Sequence, residues 1–327
     1  MREIDPLLGA VGLRPEVRLS DEEAYQYNGR GVLQVSGAAR LRVLPVKEQL
    51  DLRIVEEYAR PWLPDDRGTI MGSGIVRQLV VDTDDPILAV VAEAQAHYRA
   101  MGQWFFHGWN FRRRYSKAEL DAAEIFQATF HSVEIAGEDY GTKYDEYRAC
   151  PMCGCGATQA NELVLDRKRL SRRKDFIETL ACELVASSRV AEAFQRYEVS
   201  GVRFDAMRCA GSDVSSDEWM QLIATSHDAR LAPATVAGCR PLEDPNSEES
   251  ARYRCPLGHR LGLNLISEAF VERSSWDGKD VAYSNEYFGS HQGLLRPRRL
   301  IFVSQKVREV IEQEKLRGVT LEVAHLV

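Results

Sequence analysis

The chain contains no run of apolar residues approaching the roughly 18 needed to cross a bilayer as a helix, so no membrane span is expected. It has no surplus of positive charge either: 42 Lys and Arg face 49 Asp and Glu, a formal net charge of −7. Such a balance disfavours broad attraction to nucleic acid or an anionic membrane and suits a basic protein partner, although acidic solubility explains it too. The patterns G-x-S-x-G, HExxH and the phosphate loop are missing, and the 7 histidines are scattered instead of paired four apart. The opening stretch MREIDPLLGAVGLRPEVRLSDEE carries acids early and no continuous apolar core, a poor secretion signal, which leaves the cytoplasm as the expected location.

What is present suits a folded, water-facing protein. With 327 residues, 44% hydrophobic and 28% charged, the chain can bury one large core or two ordinary ones. Its 7 cysteines are an odd number, unevenly spread. In a reducing compartment such cysteines act as metal ligands, reactive thiols or small core residues. Three of them crowd into RACPMCGCGA (148–157) as Cys150, Cys153 and Cys155, whereas Cys182, Cys209 and Cys239 stand alone and read as core or surface thiols.

Residues 1–115 read as an independent α/β region. GIVRQLVVD (74–82) predicts a strand, and DPILAVVAEAQAHYRAM (85–101) predicts a helix started by Asp-Pro. GTIMGSG (68–74) is rich in glycine but lacks the strand-then-helix context of a nucleotide loop. Asp82, Asp84 and Asp85 at the strand end could hold a divalent ion, although an acidic turn is more often only a turn. His97, His107 and His131 lie near acids and aromatics, where a lone histidine more often has a structural task. FRRRY (111–115) beside WFFHGWN, and DRKRLSRRKD (166–175), raise nucleic-acid contact as an alternative to a solvated surface.

Ser116 and Glu119 form a capping box that opens a helix at SKAELDAAEIF (116–126). QATFHSVEI (127–135) alternates as a strand, AGEDYG (136–141) turns, and the chain then returns toward CPMCG as a hairpin. Beyond it, LVASSRVAEAFQRYEVSGVRF (184–204) aligns without a gap on IFVSQKVREVIEQEKLRGVTL (301–321), 117 residues later. Each copy predicts a short apolar strand, a serine cap, a helix burying Val190 and Phe194 or Val307 and Ile311, a glycine exit and a second strand. Each follows a Cys-Pro element, CPMCG at Cys150 and CPLGH at Cys255, 105 apart. The second copy therefore carries about a dozen extra residues, with RSSWDGKD and EYFGSHQG as candidate places. A polar connector at 234–254 separates two copies spanning about 150–207 and 255–324. The expected organisation is α+β, with an N-terminal α/β region (1–115) followed by a duplicated zinc-ribbon-like knuckle and strand–helix–strand module (116–212 and 213–327).

Two thiolates three residues apart can face one ion from a tight turn, and a following glycine eases that turn. Structural zinc needs two more ligands. CPLGH keeps Cys255, but Gly258 stands where the second cysteine would be, and His259 is one place further on. The expected Zn2+ site is therefore Cys150, Cys153, Cys255 and His259, with Cys155 able to replace the histidine and a metal-free set of buried thiols as the alternative.

The two Cys-Pro knuckles, each followed downstream by LVASSRVAEAF…GVRF or IFVSQKVREVI…GVTL, resemble the double-CxxCG-motif immunity proteins of bacterial toxin systems, over residues from about 127 to the C-terminus. The resemblance implies a protein that neutralises a toxin by occupying its surface, without catalysis. The expected function is thus non-enzymatic binding of a protein partner, with a structural zinc ion. The alternatives are a zinc-ribbon protein on nucleic acid, through Arg112, Arg113, Arg114 and the 167–174 cluster, or an enzyme acting through the N-terminal region.

Overall fold

The computed structural model describes residues 47–327 except 73, 213, 239–240, 243–254 and 260–263, preceded by the backbone of three strands. Cys239 and most of the 234–254 connector lie outside the described residues. The fold is α+β, with many strands and few helices. It divides into a unit of Met1–Leu120, Pro233–Arg252 and Asn264–Ser267, and a second of Asp121–Ala232, Tyr253–Leu263 and Glu268–Val327. These units do not follow the chain-order boundaries at 115 and 212.

In the first unit, β1 (Val17–Ser20), β2 (Glu23–Asn28) and β3 (Val32–Val35) form an antiparallel sheet. A second antiparallel sheet has the order β5-β6-β4-β7, from β4 (Lys47–Val55), β5 (Thr69–Met71), β6 (Val76–Asp82) and β7 (Phe106–Arg114). The two-residue period of β4 sends Leu50, Leu52 and Ile54 to one face, against Leu88, Val91 and Ala94 of α2 (Ile87–Ala100), with α1 (Glu56–Ala59) between them in the chain. Each large apolar side chain buried there contributes about 1.5–3 kcal/mol relative to exposure. The helix starts where expected, because Asp85 accepts a hydrogen bond from the Ile87 amide at 2.9 Å. GTIMGSG supplies β5 and no phosphate loop.

The second unit is built on an 11-stranded sheet. Its strands are β8 (Ile125–Ser132), β9 (Leu163–Leu165), β10 (Phe176–Glu178), β11 (Leu184–Ser187), β12 (Val202–Cys209), β13 (Ser215–Ala224), β14 (Ala269–Val271), β15 (Val281–Phe288), β16 (Arg298–Ser304) and β17 (Val319–Leu326). The order runs β9-β12-β13-β11-β10-β8-β16-β15 and ends on the short strand Ser226–Ala229, while β17 pairs with both β8 and β14. The capping box forms at α3 (Lys117–Ala122), with the Glu119 amide donating to Ser116 Oγ at 3.2 Å and the Ser116 amide donating to the Glu119 carboxylate.

The hairpin expected between 127–135 and 142–149 does not form. β8 pairs antiparallel with β16 and β17 instead, burying Ile125, Phe126 and Ala128. AGEDYG closes a single helical turn, Gly137–Tyr140, whose first amide is bound by the buried Glu183 carboxylate at 3.1 Å. The hairpin around the first cysteine knuckle pairs Tyr144–Asp145 with Thr158–Gln159.

The two segments 117 residues apart have matching geometry. Helix α4 (Ser188–Arg196) and helix α5 (Gln305–Gln313) have the same length and offset, as do β12 and β17. Phe176, Ile177 and Glu178 pair with Ala186, Val185 and Leu184, while Val281, Ala282 and Tyr283 pair with Val303, Phe302 and Ile301. Aligned on these pairings, the two segments differ in length between Tyr283 and Ile301, in the hairpin with EYFGSHQG. RSSWDGKD instead forms a short helical turn at Arg273–Ser275 that corresponds to Arg167–Arg169. The order β12-β13-β11 matches β17-β8-β16, so β8 fills among the later strands the place that β13 fills among the earlier ones.

Two aspartates fasten this arrangement reciprocally. Asp175 accepts from Ser187 Oγ at 3.0 Å and from the Arg317 amide at 2.8 Å. Asp280 accepts from Ser304 Oγ and the Ser200 amide, each at 2.8 Å. Each carboxylate thus ties the start of its own helix to the exit from the other. Ser304 also caps its helix by accepting from the Val307 amide, whereas Ser187 makes no such cap bond. Val190 and Phe194 are buried as expected, while in α5 Val310 is buried and Ile311 is only half-buried. At the exits, Gly201 and Gly318 have φ of 79° and 94°, and a Cβ there would collide with the carbonyl oxygens of Val281 and Phe176.

Two outcomes are expected. Gly318→Ala should cost more than Gly211→Ala in urea unfolding, because both positions have left-handed φ but only Gly318 has backbone in the way. The strain alone is on the order of 1 kcal/mol. Second, burial would raise the Asp280 carboxyl, but the Ser200 amide and hydroxyl, Ser304 and Lys306 together hold it below the usual value. Its stabilisation is therefore complete above pH of about 4 and lost as pH falls through the lowered folded value. Asp280→Asn should flatten that acid limb of the urea midpoint against pH; an unchanged limb would assign it to other carboxylates.

Candidate metal centre

Each knuckle is a tight turn closed by its own backbone. In the first, the Gly154 amide donates to the Cys150 carbonyl at 2.8 Å and the Cys150 amide to the Cys155 carbonyl at 2.7 Å. In the second, the Gly258 amide donates to the Cys255 carbonyl at 2.7 Å and the Cys255 amide to the His259 carbonyl at 2.8 Å. Gly154 and Gly258 take φ of 75° and 91°, a conformation that costs side-chain-bearing residues energy. In chain order, each knuckle lies between the two arms of a short hairpin, Tyr144–Asp145 with Thr158–Gln159 and Ala237–Gly238 with Asn264–Leu265.

The structure brings Cys150, Cys153, Cys255 and His259 together, with their ligand atoms all within 4.8 Å of one another. The Cys150 and Cys255 sulfurs are 3.6 Å apart, and Cys153 Sγ is 3.3 Å from His259 Nδ1. The three cysteines are buried and the histidine is half-buried. This cluster could hold a metal ion, and it is the one group of its kind among the described residues.

Burial alone would raise the Cys150 thiol, but the backbone N–H groups of Met152 and Cys153, together with the Cys153 and Cys255 thiols, outweigh it and bring the group down to about 6. The Leu257 amide makes a similar contact to Cys255 Sγ at 3.4 Å. Amides aimed at sulfur are the usual support for a thiolate ligand. Burial pushes Cys153 and Cys155 up. Cys155 is buried with the other three cysteines in one sulfur cluster but falls outside the four-ligand set.

The sequence did not point to His291, whose amide donates to the Cys153 carbonyl at 2.8 Å and whose Cβ crowds the face of Gly154. It sits in the hairpin that carries the extra residues, so the one available signal was its length. Nearby, Arg296 binds Glu138 and Glu146 at 2.8 and 3.0 Å and lies over the Tyr144 ring, while Tyr144 Oη donates to Glu183 at 2.7 Å. This network steadies the hairpin that carries the first knuckle.

The other candidates are used differently. Asp85 pairs with Arg67 at 2.6 Å and caps α2, and Asp82 accepts from Gln49 at 2.9 Å, so these acids and Asp84 do not gather around an ion position. In FRRRY, Arg112 is paired with Asp51 and Arg113 with Glu48 at 2.9 Å. His97 packs beside Trp62 and Tyr98, and His107 and His131 are exposed. Among the described residues no helix is long and apolar enough to cross a membrane. No family model matches the chain, and no curated protein or solved structure does either.

Emptying this cluster of any ion it holds should loosen the second unit. Cys255→Ser, or chelation of the unaltered protein, is expected to lower stability by about 2 kcal/mol or more, since binding free energy at such a site is folding free energy. Thermal unfolding with and without chelator measures it, and a chelated protein as stable as the untreated one would show that the cluster holds no stabilising ion.

Proposed function

We propose that this is a non-enzymatic binding protein, braced by one structural zinc ion, that acts on a protein toxin in the manner of the immunity proteins it resembles. The observation that carries the reading is the ligand set itself. Zinc–sulfur bonds of about 2.3 Å and a zinc–nitrogen bond of about 2.0 Å at tetrahedral angles imply edges of about 3.8 Å between sulfurs and about 3.5 Å between sulfur and nitrogen. The 3.6 and 3.3 Å separations fit that figure. Three thiolates and an imidazole fill all four positions, which is the pattern of a structural ion, whereas catalytic zinc keeps a position open for water or substrate. Cys150, Cys153, Cys255 and His259 would hold the ion and join residues 105 apart in the chain.

We further read the second unit as a duplicated module whose first strands have changed places. The matched registers of β10 with β11 and of β15 with β16 support this, as do the reciprocal aspartates. Such an assembly offers a rigid surface and needs no reactive groups.

Elemental analysis of protein purified without chelators should find about one zinc per chain, the stoichiometry of a closed four-ligand site. Co-purification from the native host should recover a protein partner in stoichiometric amount. A zinc-free preparation would remove the metal reading. Metal-dependent turnover of a substrate by the purified chain would remove the binding one.

A further inference from the structure

We infer that the protein meets its partner through a basic pole on the second unit, and that the partner presents an acidic protein surface there. The inference rests on the binding role proposed above and assigns the chemistry of the contact. Between residues 167 and 174 the chain places six cations: Arg167, Lys168, Arg169, Arg172, Arg173 and Lys174. All but Lys174 are exposed. Arg172 reaches Glu218 only at 3.5 Å, with both side chains largely in solvent; the others have no ion-pair partner among the described residues. Asp175 joins this segment to the exit of α5, where its amide donates to the Arg317 carbonyl at 2.7 Å, adding exposed Arg317 and Lys315 to the same pole.

The corresponding pole is an internal control. The segment around Arg273–Ser275 adopts the same short turn and reaches the same aspartate contact, yet reads ERSSWDGKD. Of its two cations, Arg273 is taken up by Glu124 at 2.6 Å. Glu198 and Ser200 stand where Lys315 and Arg317 stand at the basic pole. The fold is therefore satisfied without the cations, and their concentration at one pole has no structural task.

An acidic protein face fits better than nucleic acid. Leu170 and Phe176, the apolar residues in and beside the segment, are buried, so the segment itself offers no exposed ring for a base to stack upon. The whole chain still carries −7, so a long polyanion running off the pole would meet repelling surface, whereas an acidic protein patch can end where the cations end. Arginine forks also match carboxylates in pairs.

The test is fluorescence anisotropy with a short labelled polyglutamate peptide, no longer than the pole, and with single-stranded RNA long enough to run past it, at low and high salt. Polyglutamate should bind at low salt and weaken as salt rises. Arg172→Glu with Arg173→Glu should weaken it by about tenfold or more, since like charges at a contact repel strongly. Lys279→Glu at the other pole should leave it unchanged. If the double variant unfolds on heating earlier than the parent, Lys168→Glu with Arg169→Glu takes its place. Tighter binding to RNA than to polyglutamate, or indifference to both variants, would overturn the inference. A stoichiometric host partner held equally by parent and variant would also overturn it, while leaving the binding role intact. Charge-dependent polyglutamate binding with no host partner would instead count against the binding role.

Discussion

The second unit depends on two carboxylates that each answer to both ends of the assembly. Asp175 and Asp280 hold the serine at the start of one helix and the amide at the exit of the other. Hydrogen bonds to a charged acceptor are about twice as strong as neutral ones. Their position matters more than their number, because each one sees the start of one helix and the exit of the other. The glycines at the two exits follow from this: the chain must run so close to Phe176 and Val281 that no side chain fits. Register in the flanking strands follows in turn, since Asp175 immediately precedes β10 and Asp280 immediately precedes β15.

The cysteine–histidine cluster works at the opposite extreme of sequence distance and with a different chemistry. Turn geometry alone presents Cys150 and Cys153 on one side and Cys255 and His259 on the other. Without a cation, thiolates so close would repel, and the backbone amides at Cys150 and Cys255 offset only part of that. The hairpin that carries EYFGSHQG then packs His291 against the first knuckle, a contact without a counterpart at the second among the described residues.

Legibility in the sequence tracks how local each cause is. The capping box at Ser116 and Glu119, the Asp-Pro start before α2 and the serine–helix–glycine pattern are set by neighbours within a few residues, and they could be read directly. The grouping of Cys150, Cys153, Cys255 and His259 was readable because cysteine spacing is itself a chemical constraint. Strand β8 was recognisable as a strand from its alternation, but its partners were not, since pairing with residues nearly 200 positions later leaves no local mark. The same holds for FRRRY: the run reads as a basic cluster, while its neutralisation by Asp51 and Glu48 is written on a neighbouring strand. Ile311 is only half-buried, whereas Val307 and Val310 of the same helix are buried.

The position of β8 also bears on how the chain reaches its fold. This strand leaves the ribosome long before either of its antiparallel neighbours is made. At about 5–20 residues per second, it waits on the order of ten seconds or more for those two partners. Contacts so distant in sequence slow folding, because the loop between them must be closed before any pairing is gained. Every nascent chain thus passes through a period in which an apolar strand is exposed, and a neighbouring copy on the same message could supply the missing edge.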